Sequence, residues 1–145
     1  MSHVREQLRK AVATAITGLA TTGSRVYSNR VYQLNDSDLP CLMVMSGGDE
    51  VEALSMHHPY QQRRRTNIRI EATVKGKTGY DDTLDTICME VEESISNASS
   101  SLVKGMYIEQ TGIEFDGSGE QPIARAIMIF YKDLYTESNN VDTAL

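Results

Sequence analysis

The segment Arg65–Lys75 constrains the fold of this chain more than any other part of the sequence. Apolar residues occupy every second position along it, at Ile68, Ile70, Ala72 and Val74. Successive side chains of a strand point to opposite faces of a sheet, so this period predicts a strand with one buried and one solvent-exposed face. A sheet that is apolar on one face needs other elements to cover that face.

Two segments have the apolar period of amphipathic helices and can provide this cover. The stripe in residues 3–20 is formed by Val4, Leu8, Val12, Ile16 and Leu19, and the stripe in residues 80–98 is formed by Leu84, Ile87, Cys88, Val91 and Ile95. Further strands are predicted at Arg25–Tyr27, Leu39–Met45, 106–115 and 122–135. This order predicts an α+β fold, in which a mixed, mainly antiparallel sheet has two helices packed on one face.

Two other segments depart from simple periods. Leu39–Met45 is apolar without polar alternation, which favours a central strand covered on both faces. Gly47–Gln62 is rich in Gly, Asp, Glu and His and has no clear period, so we predict a long loop or an irregular hairpin there. Residues 1–135 are predicted to form a single domain, and the polar residues 136–145 a flexible C-terminal tail.

Composition and charge exclude several classes of function. The 145 residues suit one domain, and the net charge of −6 has the wrong sign for general nucleic-acid binding. Seven Tyr, two Phe and no Trp offer little for a base-stacking platform. No stretch approaches the ~20 apolar residues of a membrane span. Cys41 and Cys88 have neither redox-pair nor zinc-ligand spacing, and we predict buried thiols in a reducing compartment.

Residues that could carry catalysis form no recognisable motif. His57 and His58 are adjacent, and neighbours on an extended chain point to opposite sides, which disfavours a shared metal. The carboxylates of the second helix suit the solvated face of an amphipathic helix better than acid–base catalysis. The glycine segments SGGDE, KGKTG and DGSGE match no phosphate-binding fingerprint. We therefore expect no catalytic residue, no metal and no cofactor.

Charge is segregated between two neighbouring segments. Residues 61–77 are strongly basic, with Arg63, Arg64, Arg65, Arg69, Lys75 and Lys77 against Glu71, whereas residues 81–93 carry carboxylates and no basic side chain. In one interpretation the two segments pair within a subunit or face water. In the other, the basic strand of one subunit contacts the acidic helix of the next and closes a ring. The contacting residues would then be Arg63, Arg65 or Arg69 opposite Asp85, Glu92 or Glu93.

Five stretches of the chain form a longer pattern between residues 4 and 135. They read VREQLRKAV, TGSRVYSNRVYQLNDSDLPCLMVM, RIEATVKGK, LDTICMEVEESI and ARAIMIFYKDLYT. In order and spacing this pattern resembles the tail terminator family of long-tailed phages, of the minor tail protein U type. Its most specific piece is RVY followed by RVYQL and LPCLMVM, in which we interpret Arg30 and Tyr32 as structural.

The resemblance implies a structural role in a virion. Family members form a hexameric ring on the end of the completed tail tube, stop its polymerisation and present the surface to which the head connector binds; they are not enzymes. The implied partners are further copies of this chain, the tail tube protein and the head–tail connector protein, with no membrane. Genome DNA would pass through the ring without specific binding, which suits an acidic protein. The implied location is the virion tail, with host cytoplasm during assembly.

The unusual segment Gly47–Gln62 is the predicted contact with the tube or the connector. The candidate residues are Asp49, Glu50, Glu52, His57 and His58. Three alternatives remain open beside the terminator. The chain could be a head-to-tail completion or tail tube protein, a small cytoplasmic enzyme using the acidic second helix, or a nucleic-acid adaptor using the basic strand.

Overall fold

The computed structural model describes residues 2–28, 39–76, 78–117 and 122–145. They form α1 (Val4–Ala15), β1 (Val26–Ser28), β2 (Cys41–Ala53), β3 (Gln61–Lys75), α2 (Tyr80–Ser96), β4 (Tyr107–Asp116) and β5 (Ile123–Glu137). Arg30, Tyr32 and Lys77 lie outside these ranges. Neither of these helices has the length and apolar character that a membrane crossing requires.

The strands form one sheet in the order β1-β2-β3-β5-β4. β1 is parallel to β2, and all other neighbours are antiparallel. The apolar stripes of both helices join one core cluster with β-strand residues such as Val44, Ile70 and Met128. We name the face that the helices cover the inner face and the opposite one the outer face. The predicted α+β class, with a mixed, mainly antiparallel sheet, is confirmed.

β3 has the predicted two-faced pattern. Ile68, Ile70, Ala72 and Val74 are buried on the inner face against the helices. Burying a side chain of this kind stabilises the fold by roughly 1.5–3 kcal/mol, so the alternation fixes which face the helices cover. The same alternation directs Arg63, Arg65 and Arg69 to the outer face.

α1 is shorter than its sequence period suggests. His3 caps its first turn, because the Nδ1 atom accepts a hydrogen bond from the backbone N–H of Arg5 at 3.1 Å. The helix ends at Ala15 rather than near residue 20. Gly18, with φ of 90°, turns the chain there and donates its N–H to the carbonyl of Gly23. The two helices are joined where the Ser94 hydroxyl donates to the carbonyl of Ala15 at 2.6 Å.

The prediction of a central strand at Leu39–Met45 is confirmed, and its outer face is covered in part. β2 lies inside the sheet between β1 and β3, and Leu42 and Val44 are buried under the helices. Met43 and Met45 lie on the outer face, half-buried in register with Glu71 and Arg69. Cys41, on the same outer face, is fully buried, so the cover of this face decreases along the strand from Cys41 to the two methionines, whose long side chains pack beside charged neighbours.

The segment Gly47–Gln62 is a hairpin and not a long loop. β2 continues to Ala53 and β3 starts at Gln61, which leaves residues 54–60 as the connection, here named the tip. A β-bulge lies between Ser46 and Gly48. Gly48 has a φ of 98°, in the left-handed region that favours glycine, and the lack of a Cβ at Gly47 leaves room for the Asn67 side chain. The extra residue shifts the alternation by one position, which is why the sequence has no continuous period here.

Residues 136–145, predicted as a flexible tail, contact the domain. β5 extends to Glu137, and Thr136 is fully buried. The carbonyl of Val141 accepts the backbone N–H of Val4 at 3.0 Å, and the carbonyl of Asp142 accepts from the Gln7 side chain at 2.7 Å. These bonds satisfy polar groups at the start of α1, so this segment supplies partners that the first helical turn needs.

Candidate assembly surfaces

The three arginines on the outer face of β3 each pair with a carboxylate of the same subunit. Arg63 contacts Glu52 at 2.5 Å, Arg65 contacts Glu109 at 2.6 Å and Arg69 contacts Glu71 at 2.7 Å. Arg65 also lies 4.4 Å from the ring centroid of Tyr131. Such exposed pairs contribute only about 0–1 kcal/mol each, so exchange of partners on assembly has a small cost.

The acidic face of α2 lies on the other side of the molecule. Asp85, Glu92 and Glu93 are exposed on the side of α2 that faces away from the core. No ion pair of theirs occurs within residues 2–28, 39–76, 78–117 and 122–145. The helical layer separates them from the outer-face arginines. The structure therefore does not bring the two predicted halves of the interface together in one subunit, and pairing between subunits stays a prediction.

Other polar groups of α2 have structural roles. Glu90 accepts hydrogen bonds from the hydroxyl and the backbone N–H of Thr21, at 3.0 and 3.4 Å. Both cysteines are buried and free, as predicted. Burial, together with the charges of Glu92 and Asp85, raises the pKa of Cys88 to about 11, so its thiol is protonated and unreactive at neutral pH.

Asp49 belongs to a buried ion-pair network and not to an exposed loop. Its side chain is 7% exposed and contacts Arg64 at 2.9 Å and Arg5 at 3.4 Å. The Arg64 side chain is 11% exposed and also donates to the hydroxyl of Thr136. As alternation predicts, Arg64 points away from Arg63 and Arg65. The network ties α1, β2, β3 and β5 together. The lowered pKa of neighbouring His3, caused first by burial and then by Arg5 and Arg64, keeps this helix cap neutral.

The tip presents apolar side chains to solvent. Met56 is 92% exposed, and Leu54 and Tyr60 are also exposed. The tip is tied down at its base, where Leu54 donates its N–H to the carbonyl of Gln61 and Tyr60 exchanges hydrogen bonds with Ser138. The predicted contact residues Glu50, Glu52, His57 and His58 are all exposed on this hairpin. An exposed apolar group held on a fixed hairpin is typical of a protein contact.

A second apolar surface lies on the edge strand β4. Ile113 and Phe115 are 50% and 53% exposed on the inner-face side of this strand, beyond the cover of the helices. Phe115 stacks on Tyr80, the first residue of α2, with 5.2 Å between ring centroids. We name Tyr80, Ile113 and Phe115 the β4 patch.

The described residues provide no evident site for chemistry. A shallow pocket of about 320 Å³ lies at the start of α2, between Pro40, Lys75 and Tyr80. Neither a carboxylate nor an imidazole lines it. Within the described ranges no three His, Cys, Asp or Glu side chains are grouped so that they could hold a metal ion.

We compared the chain with family models, curated proteins and solved structures. No family model and no curated protein matches the chain. Among solved structures, the chain is similar to one from the virion of a native gene transfer agent particle, with 15% sequence identity and a TM-score of 0.48. That match covers 92% of this chain and 92% of the other. At this identity and TM-score the likeness does not define a function for the present chain.

Neither the tip methionine nor the β4 patch was among the residues singled out from the sequence. Ile113 and Phe115 occupy alternate positions of a strand, which is also the pattern of core residues. They become distinctive only because β4 is the last strand of the sheet and the helices end before it. Met56 lies in a segment without a period, where nothing in the sequence distinguishes an exposed from a buried side chain.

Proposed function

We propose that this chain is a phage tail terminator, a structural protein that forms a ring on the end of the tail tube. The ring, hexameric as in the family that the sequence resembles, stops polymerisation of the tube and offers a docking surface to the head connector. Its partners are other copies of the chain, the tube protein and the connector, and its location is the virion tail. Its role is assembly and not catalysis.

One observation carries the assembly role. Two unlike apolar surfaces, the tip and the β4 patch, are exposed at opposite ends of the same sheet. Exposed apolar groups that are held in place favour protein partners, and two different surfaces on one molecule favour head-to-tail contacts. Head-to-tail contacts close into a ring when the rotation between neighbours permits. The net charge of −6 supports a ring that lets DNA pass without retaining it.

A tail tube subunit is the second candidate, because head-to-tail contacts that do not close produce a filament. Electron microscopy of tails made without this chain separates the two functions. Loss of a terminator should give overlong tails that lack heads, whereas loss of a tube subunit should give no tails. Tails of normal length joined to heads would contradict both assignments.

The predicted charge contact between subunits is testable by reversal. Arg65→Glu combined with Arg69→Glu should raise the protein concentration needed for half-assembly by roughly three- to tenfold, because exposed pairs are individually weak. Adding Glu92→Lys and Glu93→Lys should restore part of the loss. Sedimentation velocity over a concentration series measures this, with Lys10→Glu on α1 as the control. Unchanged assembly of the double arginine variant would assign these charges to the subunit alone.

A further inference from the structure

The tip and the β4 patch differ in charge as well as in position. The tip contains His57 and His58 and no Asp or Glu. Two carboxylates, Asp81 and Asp82, follow Tyr80 on the α2 side of the β4 patch, whereas Glu114 and Asp116 alternate with Phe115 and point to the outer face of the same edge strand. A second β4 strand laid against this edge would add like charges, which opposes edge-to-edge pairing of two copies. An apolar segment without carboxylates suits the patch better.

The β4 patch is rigid enough to receive a side chain. The Phe115 ring lies over Gly76, where a Cβ would approach its Cε2 atom to 2.7 Å. Tyr80 stacks on the same ring with 5.2 Å between the ring centroids. Phe115 is therefore fixed although half of it faces solvent. Fixed aromatic side chains lose little entropy on binding and are typical anchors of interfaces.

The two surfaces are too far apart to meet within one molecule. Gln62 lies next to the tip. Val74 pairs with Ala124 of β5, which in turn pairs with Phe115. Gln62 and Val74 lie near opposite ends of β3. Twelve residues of strand at ~3.3 Å each separate them by about 40 Å. A contact between the tip and the β4 patch must therefore join two copies.

We propose that the tip of one copy docks on the β4 patch of the next copy, with Met56 against Phe115 and Ile113. The chemistry on both sides specifies the occupant. The flexible thioether of Met56 packs well against an aromatic ring, and the tip, which has no carboxylate, meets the side of the patch that carries Asp81 and Asp82. The same contact repeats at every interface, because each copy carries one tip and one patch. This proposal rests on the proposed ring, and it specifies the surfaces through which neighbouring copies associate.

Cysteine cross-linking between two singly substituted proteins tests the contact. Met56→Cys is mixed with Ile113→Cys under mild oxidation, at a concentration at which sedimentation shows assembly. Disulfide-linked dimers are expected from this mixture. Lys10→Cys provides the control, because Lys10 is exposed on α1 and lies outside the tip, the β4 patch and the charged contact predicted on α2. The native Cys41 and Cys88 are buried and should not react.

The outcomes separate this contact from the ring itself. Assembly without cross-linking at 56 and 113, or with equal cross-linking at 10, overturns the docking proposal and leaves the ring intact. Absence of assembly at every concentration and on purified tail tubes overturns both. Independently, Met56→Ser and Ile113→Ser should each raise the concentration for half-assembly by roughly tenfold or more, with Lys10→Ser unchanged. If both variants assemble like the unsubstituted chain, the tip does not contact the patch.

Discussion

Asp49→Ala should lower the free energy of unfolding by about 3 kcal/mol, which is the low end of the cost of removing one partner from a buried ion pair. Asp49 and Arg64 are both largely shielded from solvent and lie 2.9 Å apart. Without the carboxylate, the Arg64 guanidinium remains buried with only the weaker partners Thr136 and Gln62. For a chain of this length the thermal midpoint should fall by roughly 6–12 °C.

Urea unfolding followed by circular dichroism measures this change. The matched control is Glu52→Ala, which removes the exposed pair with Arg63 on the same two strands and should cost no more than about 1 kcal/mol. Equal costs for the two variants would contradict a structural role for the buried pair. A variant at position 49 that unfolds like the unsubstituted chain yet fails to assemble would return Asp49 to the contact residues predicted from the sequence.

Shortening the tip should abolish function without disturbing the fold. In this variant an Asn-Gly turn replaces residues Ser55–Tyr60 and joins Leu54 to Gln61, which already pair through their backbones. The removed side chains contribute little to the core, because nearly all of them are exposed. The thermal midpoint should therefore stay within a few degrees, since only exposed bonds such as those between Tyr60 and Ser138 are lost.

In virions, the shortened chain should give overlong tails or tails that fail to join heads. The reason is that the apolar surface of the tip, with Met56 at its centre, is removed. A conservative companion variant, Met56→Leu, keeps an apolar side chain and should retain normal tails. Full infectivity and normal tail length with the shortened chain would show that the assembly contact lies elsewhere on the molecule.

Periodicity predicted the sheet and helices well because these elements are two-sided. Ile68 and Ile70 alternate with the polar residues Asn67, Arg69 and Glu71, and the stripes of α1 and α2 face the same core. The prediction was weakest where the buried side chains are polar. Beyond the bulge at Gly47 the inner face carries Asp49, Arg64 and Thr66, so the apolar period that reveals a strand disappears.

The candidate contact residues also differ in how well the sequence predicted them. The sequence identified the charged residues but not their partners. The structure pairs Arg63 with Glu52 of β2 and Arg65 with Glu109 of β4, whereas Arg69 pairs with Glu71 two residues away on β3. Asp49 was grouped with exposed loop residues, because its partner Arg64 can be recognised only after the strand register is known. Exposed apolar residues such as Phe115 resemble core residues until the edge of the sheet is located.

The proposed function requires that this chain assembles head-to-tail into a closed ring. The most direct measurement is the mass of the assembled full chain, by sedimentation equilibrium over a wide concentration range and in the presence of purified tail tubes. We expect a discrete species with six times the mass of one chain, which stops growing as concentration rises and which binds tube ends. A single-chain mass under all of these conditions, or a species that grows without limit, would contradict it.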